Sequence, residues 1–428
     1  MSEPSLLMLP FFSASLKEVL ILHPASTLFV PRTALIMGES PKLAHMIWPR
    51  PVATGLPNDG FVSDFSGMEK DTMHEMQNDT VKYRVFAGTW NVGGLTPPDD
   101  LELEDWLDMK ANSYDIYVLG FQEIVSLNAR NVLGPKKRSV SVKWNSLIGD
   151  ALNKRREEEE RAALRRHQEQ KETFRCVASK QMVGIFVSVW ARSALCRHVR
   201  HPAVSCVGAG VLGRLGNKGA VSVRFLLHGT SFCFVCCHLA SGGEDGDALL
   251  RNADAADILS RTSFHGHGPE EHLLPKKILD HDRVVLLGDL NYRVAMDDGE
   301  ARQLVRARKW SMLLEGDELL MELSKGRQFD GWREGLVTFP PTYKYHRDSD
   351  QFYWCAVDGG NNLTGGERRH RAPAWSDTDT FPKRCDRILW RGKGIKQLRY
   401  ERCGGYRLSD HRPVRAVFHA VCEVLEGC

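Results

Sequence analysis

From Tyr83 onward, short apolar runs recur, each ending in polar residues: Tyr83–Trp90, Asp115–Phe121, Val183–Trp190, Ala220–Leu227, Ser231–Cys237, Arg283–Leu287, Arg387–Trp390 and Pro413–Phe418. They are 4 to 8 residues long and rich in Val, Ile and Phe, which predicts central buried strands rather than helices. Helical periodicity lies between them, at Leu101–Met109, Val142–Lys154, Asp247–Arg261, Glu300–Lys309 and Asp317–Ser324. Strands alternating with helices describe a layered α/β domain. Periodicity does not show how the strands pair.

Residues 1–80 differ in texture, with Pro10, Pro24, Pro31, Pro41, Pro49, Pro51 and Pro57 and no sustained period. They read as a poorly ordered N-terminal extension before a catalytic domain over 81–422. Within that domain, 154–172 is almost all charge or amide. Its i,i+4 pairs Lys154/Glu158, Arg155/Glu159 and Glu157/Arg161 predict an exposed helix. The apolar stretch Val19–Pro31 spans 13 residues and is broken by His23 and Pro24, short of the ~20 needed to cross a bilayer. No transmembrane segment is expected. Cytoplasmic placement is expected, with a peripheral-membrane or nuclear one as the alternative.

Composition narrows the function. The 428 residues carry 57 Lys+Arg against 54 Asp+Glu, so net charge gives no reason to expect nucleic acid as a partner. Anion recognition has to come from local clusters, such as Glu367–Arg399, where ten Lys/Arg face four Asp/Glu. That excess is either a solvated basic surface or a patch that steers the protein to an anionic membrane surface. The eleven cysteines include one CxxC spacing, Cys233 to Cys236, inside an apolar run. Buried free thiols fit better than a zinc site or a disulfide scaffold.

Polar residues that follow or precede the strands supply candidate chemistry: Asn91, Glu123, His238, Asp289, Asn291 and the triplet Ser409-Asp410-His411. Singly each has a plain structural reading, Asn91 as a turn former and His238 as a satisfied core histidine. Together they cluster where ligand sites form in α/β sheets. Glu123, Asn91 and either Asp410 or Asp289 offer hard oxygen ligands suited to Mg2+. Two histidines and a further acid supply a general base and charge stabilisation, the set needed for metal-assisted phosphoester hydrolysis.

Seven blocks then occur in one order: Thr89-Trp90-Asn91-Val92, Leu119-Gly120-Phe121-Gln122-Glu123-Ile124, Gly216-Asn217-Lys218-Gly219, Cys237-His238-Leu239, Gly288-Asp289-Leu290-Asn291-Tyr292-Arg293, Pro340-Pro341-Thr342-Tyr343-Lys344-Tyr345 and Ser409-Asp410-His411-Arg412-Pro413-Val414. In these the chain resembles inositol polyphosphate 5-phosphatases, and the context around Asp105-Trp106-Leu107 looks like their plant type I branch. The match runs from about Tyr83 to His419, roughly four-fifths of the chain.

The resemblance implies the DNase I-like endonuclease/exonuclease/phosphatase fold, an α/β (α+β) β-sandwich flanked by helices. It implies hydrolysis of the 5-phosphate of phosphoinositides or soluble inositol polyphosphates, with Mg2+ as cofactor. Carried over by motif, Glu123 is the main metal ligand, with Asn91 and Asp410 beside it. Asp289 and Asn291 orient or activate the water, and His238 and His411 stabilise phosphoryl charge. Asp386 matches the acid that orients the final histidine; whether Asp289 or His411 is the base stays open. Asn217, Lys218, Tyr292, Arg293, Tyr343 and Lys344 match substrate-binding positions, with Tyr343 and Lys344 assigned to the 4-phosphate.

One departure stands out. The family joins Pro-Ala-Trp directly to Cys-Asp-Arg, whereas here residues 376–384 separate Pro373-Ala374-Trp375 from Cys385-Asp386-Arg387. This insertion reads as an exposed loop. Two rivals follow: a nuclease of the same fold, and an inactive phosphoinositide-binding scaffold disabled by the insertion.

Overall fold

The computed structural model describes residues 79–109, 113–133, 138–163, 173–210, 213, 215–244, 246–265, 271–353 and 383–424. The expected extension up to residue 78, the end of the charged segment (164–172) and most of the insertion (376–382) lie outside them. Two six-stranded sheets pack face to face. The first runs, edge to edge, β11 (Ile395–Arg402), β12 (Val414–Val424), β1 (Asp79–Asn91), β2 (Ile116–Gln122), β4 (Ile185–Arg192) and β3 (Phe174–Met182). The second runs β5 (Val199–Gly208), β6 (Gly219–Leu227), β7 (Thr230–His238), β8 (Arg283–Asp289), β10 (Asp386–Gly392) and β9 (Arg333–Glu334). Helices α1 (Ala129–Leu133), α2 (Ser139–Ala163), α3 (Asp247–Arg261), α4 (Asp298–Arg306) and α5 (Glu318–Lys325) complete the fold. A β-sandwich flanked by helices was the expectation, and it is what the chain adopts.

The apolar runs follow from this layering. Val85 and Ala87 of β1, Val187 of β4, Val223 of β6, Phe234 of β7 and Leu287 of β8 fill the space between the sheets. The alternate residues face outward yet are also covered. Phe86, Leu119 and Phe121 pack with Trp106, Trp144 and Ile148 on one side. Cys233, Val235 and Leu286 pack with Ile258 of α3 and Leu319 of α5 on the other. A strand covered on both faces loses its apolar/polar alternation whichever way its neighbours run. Only β1–β2 and β7–β8 among the described strands pair in parallel; the other pairings are antiparallel.

Leu101–Met109 corrects an expectation, because it forms turns rather than a helix. Leu107 N–H donates to the Leu103 carbonyl at 2.9 Å, but Asp108 takes a φ of 55° and ends the coil. Its carboxylate accepts from the Tyr114 hydroxyl at 2.5 Å and from Arg399 at 2.6 Å. Leu103, Trp106 and Leu107 are still buried, so the apolar spacing reports burial but not helix.

Candidate active site

Both parallel pairs end at the same side of the sandwich. Asn91 lies opposite Gln122 across β1–β2, and His238 opposite Asp289 across β7–β8. Antiparallel neighbours begin there: Asp386 opposes Asp289 across β10–β8, and Val414, just after His411, opposes Thr89. Close approach of β7 and β8 at this end depends on Gly288. Its φ is +152°, and a Cβ on it would stand 2.0 Å from the Cys237 carbonyl oxygen. Six strand ends therefore deliver one cluster of side chains.

The contacts are short. Asn91 Nδ2 donates to Asp289 Oδ2 at 2.9 Å and, at the edge of hydrogen-bond range, to Glu123 Oε1 at 3.4 Å; its Oδ1 accepts from Gly93 N–H at 3.0 Å. His238 Nε2 lies 3.4 Å from Asp289 Oδ2, 3.8 Å from Glu123 Oε1 and 2.6 Å from Lys218 Nζ. Asp289 Oδ1 accepts from Asn291 N–H at 3.1 Å, and Asn291 Nδ2 donates to the Leu239 carbonyl at 2.9 Å. His411 Nδ1 is 2.9 Å from Asp386 Oδ2, leaving Nε2 4.0 Å from Asp289 Oδ2. Glu123 and Asn291 have φ values of 53° and 57°, a left-handed backbone that L-residues keep only where the surroundings hold it.

Burial sharpens these charges. It would push the Asp289 carboxyl up, but the His238 hydrogen bond and the charges of His411 and Lys218 hold it well below the usual carboxylate range. Burial would likewise depress His411, yet the adjacent Asp386, joined by Asp289 and Asp410, raises it to about 9. The Asp386 carboxyl is pushed up by burial against the pull of His411. Burial lowers the Lys218 ammonium while Asp289, Glu123 and Asp254 oppose the change.

Among the described residues, Asp289, Asp386 and His411 have ligand atoms within 4.8 Å of one another. With His411 Nδ1 engaged by Asp386 Oδ2 at 2.9 Å, the trio has the form of an acid–histidine pair beside a carboxylate. Glu123, 29% exposed in its side chain, offers a carboxylate oxygen to a hard cation. The Asn91 amide here turns its nitrogen to the carboxylates. Asp410 Oδ1 is 3.3 Å from Ser409 Oγ and borders Gly93, in the turn that follows Asn91.

Of the substrate candidates, Lys218 joins the cluster directly. Tyr343 lays its ring 4.4 Å from that of His411, and Lys344 Nζ sits 5.7 Å from the Tyr343 ring and 5.0 Å from the Tyr353 ring. Asn217 is half-buried, its Oδ1 without a hydrogen-bond partner. Arg293 bridges Lys383, and its N–H donates to Glu318. Tyr292 stands apart: it is fully buried, its hydroxyl donates to Asn252 Oδ1 at 2.5 Å, and it packs against Phe329.

The last two residues of the insertion correct its reading as an exposed loop. Lys383 and Arg384 are 2% and 0% exposed. Lys383 pairs its backbone with Tyr343, N–H to carbonyl at 2.8 Å and carbonyl to N–H at 3.1 Å. A signal was present, since Pro382-Lys383-Arg384 stands before Cys385 at the offset of the family's Pro-Ala-Trp. Arg387 is buried too, clasped by Asp317 and Glu334 at 2.8 Å and 2.5 Å. Three cations of the Glu367–Arg399 stretch are thus not surface charge. Exposed Lys393 lies in the β10–β11 turn, past the Gly392 end of a strand whose other end carries Asp386, ~20 Å away at 3.3 Å per residue. Among the described residues, this stretch makes no basic patch at the site.

Comparison with known proteins agrees with this geometry. The sequence profile described as Endonuclease/Exonuclease/phosphatase family 2 matches residues 88–417. The type IV inositol polyphosphate 5-phosphatase 9 of Arabidopsis thaliana is 48% identical over 396 residues, covering 87% of this chain and 91% of that protein. The type I inositol polyphosphate 5-phosphatase 8 of the same plant is 43% identical over 362 residues, covering 80% and 71%. The likeness thus extends to both the type I and the type IV plant proteins. Among solved structures, the inositol polyphosphate 5-phosphatase domain of SPsynaptojanin, in complex with inositol (1,4)-bisphosphate and calcium ion, superposes with a TM-score of 0.65. It is 26% identical, with 82% of this chain and 87% of that one covered.

Proposed function

Because the chain belongs to the endonuclease/exonuclease/phosphatase family, and within it to the inositol polyphosphate 5-phosphatases, we propose that it removes the 5-phosphate from phosphatidylinositol 4,5-bisphosphate and inositol 1,4,5-trisphosphate with Mg2+ as cofactor. The observation that carries the reading is the convergence of Asp289, held by Asn91, with His411, seated on Asp386. His411 Nε2 lies 4.0 Å from Asp289 Oδ2, and their charges favour the ionised carboxylate and the imidazolium.

In this scheme Asp289 is the acceptor. Asn91 and Asn291 fix both of its oxygens, so a lone pair is aimed at the attacking water and takes its proton. His411, charged by Asp386, donates from Nε2 to a phosphoryl oxygen, where negative charge grows. His238 and Lys218 serve the same oxygens from the β7 side. The hard oxygen donors Glu123, Asn91 and Asp410 are the residues that would hold the cation. A divalent cation held by them would polarise the phosphoryl oxygen and neutralise charge on the leaving group. Lys344, with Tyr343 beside it, takes the 4-phosphate, and Asn217 and Arg293 complete the polar rim.

Inositol phosphates and phosphoinositide headgroups present the same chemistry to this site. No described helix is long and apolar enough to cross a membrane; in this reading a lipid substrate is met at the surface of an anionic membrane and a soluble one in solution. The seating of Asp386 against His411 speaks for an active enzyme rather than a scaffold disabled by 376–384. Phosphate release from both substrates, compared in Mg2+, in Ca2+ and in chelator, tests the proposal. Release that depends on Mg2+ is expected, and none from either substrate overturns it.

A further inference from the structure

Lys383 is nearly fully buried, and its position is set by backbone on two sides. It bridges Arg293 on one side and Tyr343 on the other, and its carbonyl accepts from both Thr342 N–H and Tyr343 N–H at 3.1 Å. That ladder leaves its ammonium 5.0 Å from the centre of the Tyr343 ring. The same ring meets the His411 imidazole at 4.4 Å and the Lys344 ammonium at 5.7 Å. Two lysines from different segments therefore converge on the aromatic ring that touches the charged histidine.

The Tyr343 face is one of the neighbours that stabilise the buried ammonium. The residue also departs from the family pattern. The family pattern has Ala between Pro and Trp before the Cys-Asp-Arg block, whereas here Lys383 stands between Pro382 and Arg384, directly before Cys385-Asp386-Arg387. A cation thus replaces a methyl group beside the assigned 4-phosphate contacts. Inside low-dielectric walls, such a charge acts strongly on an anion held nearby.

We propose that Lys383 is a specificity-determining residue of this enzyme: its ammonium, pinned on the Tyr343 ring next to Lys344, raises the preference for substrates that carry a phosphate beside the scissile one. The proposal rests on the reading of Tyr343 and Lys344 as the 4-phosphate contacts. The nine-residue departure from the family pattern then alters substrate choice.

The test compares kcat and KM on inositol 1,4,5-trisphosphate and inositol 1,5-bisphosphate for the wild type, Lys383→Met, Lys383→Arg and Lys344→Ala. Lys383→Met should lower the ratio of the two kcat/KM values about tenfold, mainly through KM, the size of one charge-assisted contact. Lys383→Arg should restore most of it. A ratio unchanged by Lys383→Met, or an equal fall on both substrates with a lower melting temperature, assigns Lys383 a structural role and overturns the proposal. If Lys344→Ala lowers the ratio while Lys383→Met does not, the Lys383 proposal alone is wrong; if neither moves it, the 4-phosphate assignment falls as well. Should Lys383→Met fail to fold, deletion of 376–384, which puts Ala374 in its place, must show the same loss of preference.

Discussion

Replacing Asp386 with Asn keeps the shape of the side chain and removes the charge that holds His411. The rise of His411 from 6.5 to about 9 amounts to ~3 kcal/mol in favour of the imidazolium. Burial opposes that rise, so the surrounding carboxylates, Asp386 first, supply more than the net figure. Without Asp386, burial is opposed only by Asp289 and Asp410, and the His411 pKa falls. A ring that loses its proton at lower pH offers no charged donor to the phosphoryl oxygen there, and loss of one such donor costs ~10²–10³ in kcat. The assay is phosphate release at saturating metal from about pH 6 to about pH 10, read as kcat/KM, which reports the free enzyme. The wild-type alkaline limb should fall near pH 9, and in Asp386→Asn it should move to lower pH. Stability gives a second readout. The folded-state value lies above the unfolded 6.5, so the stabilisation is whole below pH 6.5 and is lost as pH rises through about 9. The variant should lack that loss. An alkaline limb that stays in place in Asp386→Asn would refute the reasoning.

Glu123→Gln should abolish metal-dependent turnover with a near-native melting temperature, and turnover at ordinary metal concentration would show that the cation is held elsewhere. Glu123→Gly should be equally inactive but ~1 kcal/mol more stable to denaturant, because it relaxes the φ of 53°. Gly288→Ala drives a Cβ into the Cys237 carbonyl and should cost about 4 kcal/mol or more, judged by the urea midpoint. Deleting 376–384 replaces buried Arg384, whose Nε and Nη1 have no hydrogen-bond partner, with Trp375. A gain of about 1–3 kcal/mol in unfolding free energy is expected, and no gain would mean that both donors are satisfied in solution.

What the sequence made legible was burial. Every strand read from an apolar run is interior to its sheet, whereas β3, β5, β9 and β11, which gave no such run, are the four edges. Their burial alternates or stays partial, as in β5, where Val204 and Cys206 face solvent, so an edge strand lacks the signal that a doubly covered one carries. Pairing direction was illegible for the same reason: a run buried on both faces looks alike in parallel and antiparallel neighbours. Candidates for the site were legible at Asn91, Glu123, His238 and Asp289 because these residues sit where apolar runs stop, whereas Asp386, which precedes its run, came only from the motif resemblance. Lys383 was marked only by its offset before Cys385, since a lysine in a polar stretch does not itself show the backbone ladder that buries it. Tyr292 shows the converse, a tyrosine within a substrate motif whose hydroxyl is spent on Asn252.

The most direct test of the central claim is the identity of the product. Inositol 1,4,5-trisphosphate is incubated with wild-type enzyme and Mg2+, and the remaining phosphates are assigned by phosphorus NMR. Inositol 1,4-bisphosphate should be the sole product, formed with Mg2+ but not in chelator, and absent with Glu123→Gln. Loss of the 1- or 4-phosphate, or release that continues in chelator, would contradict it.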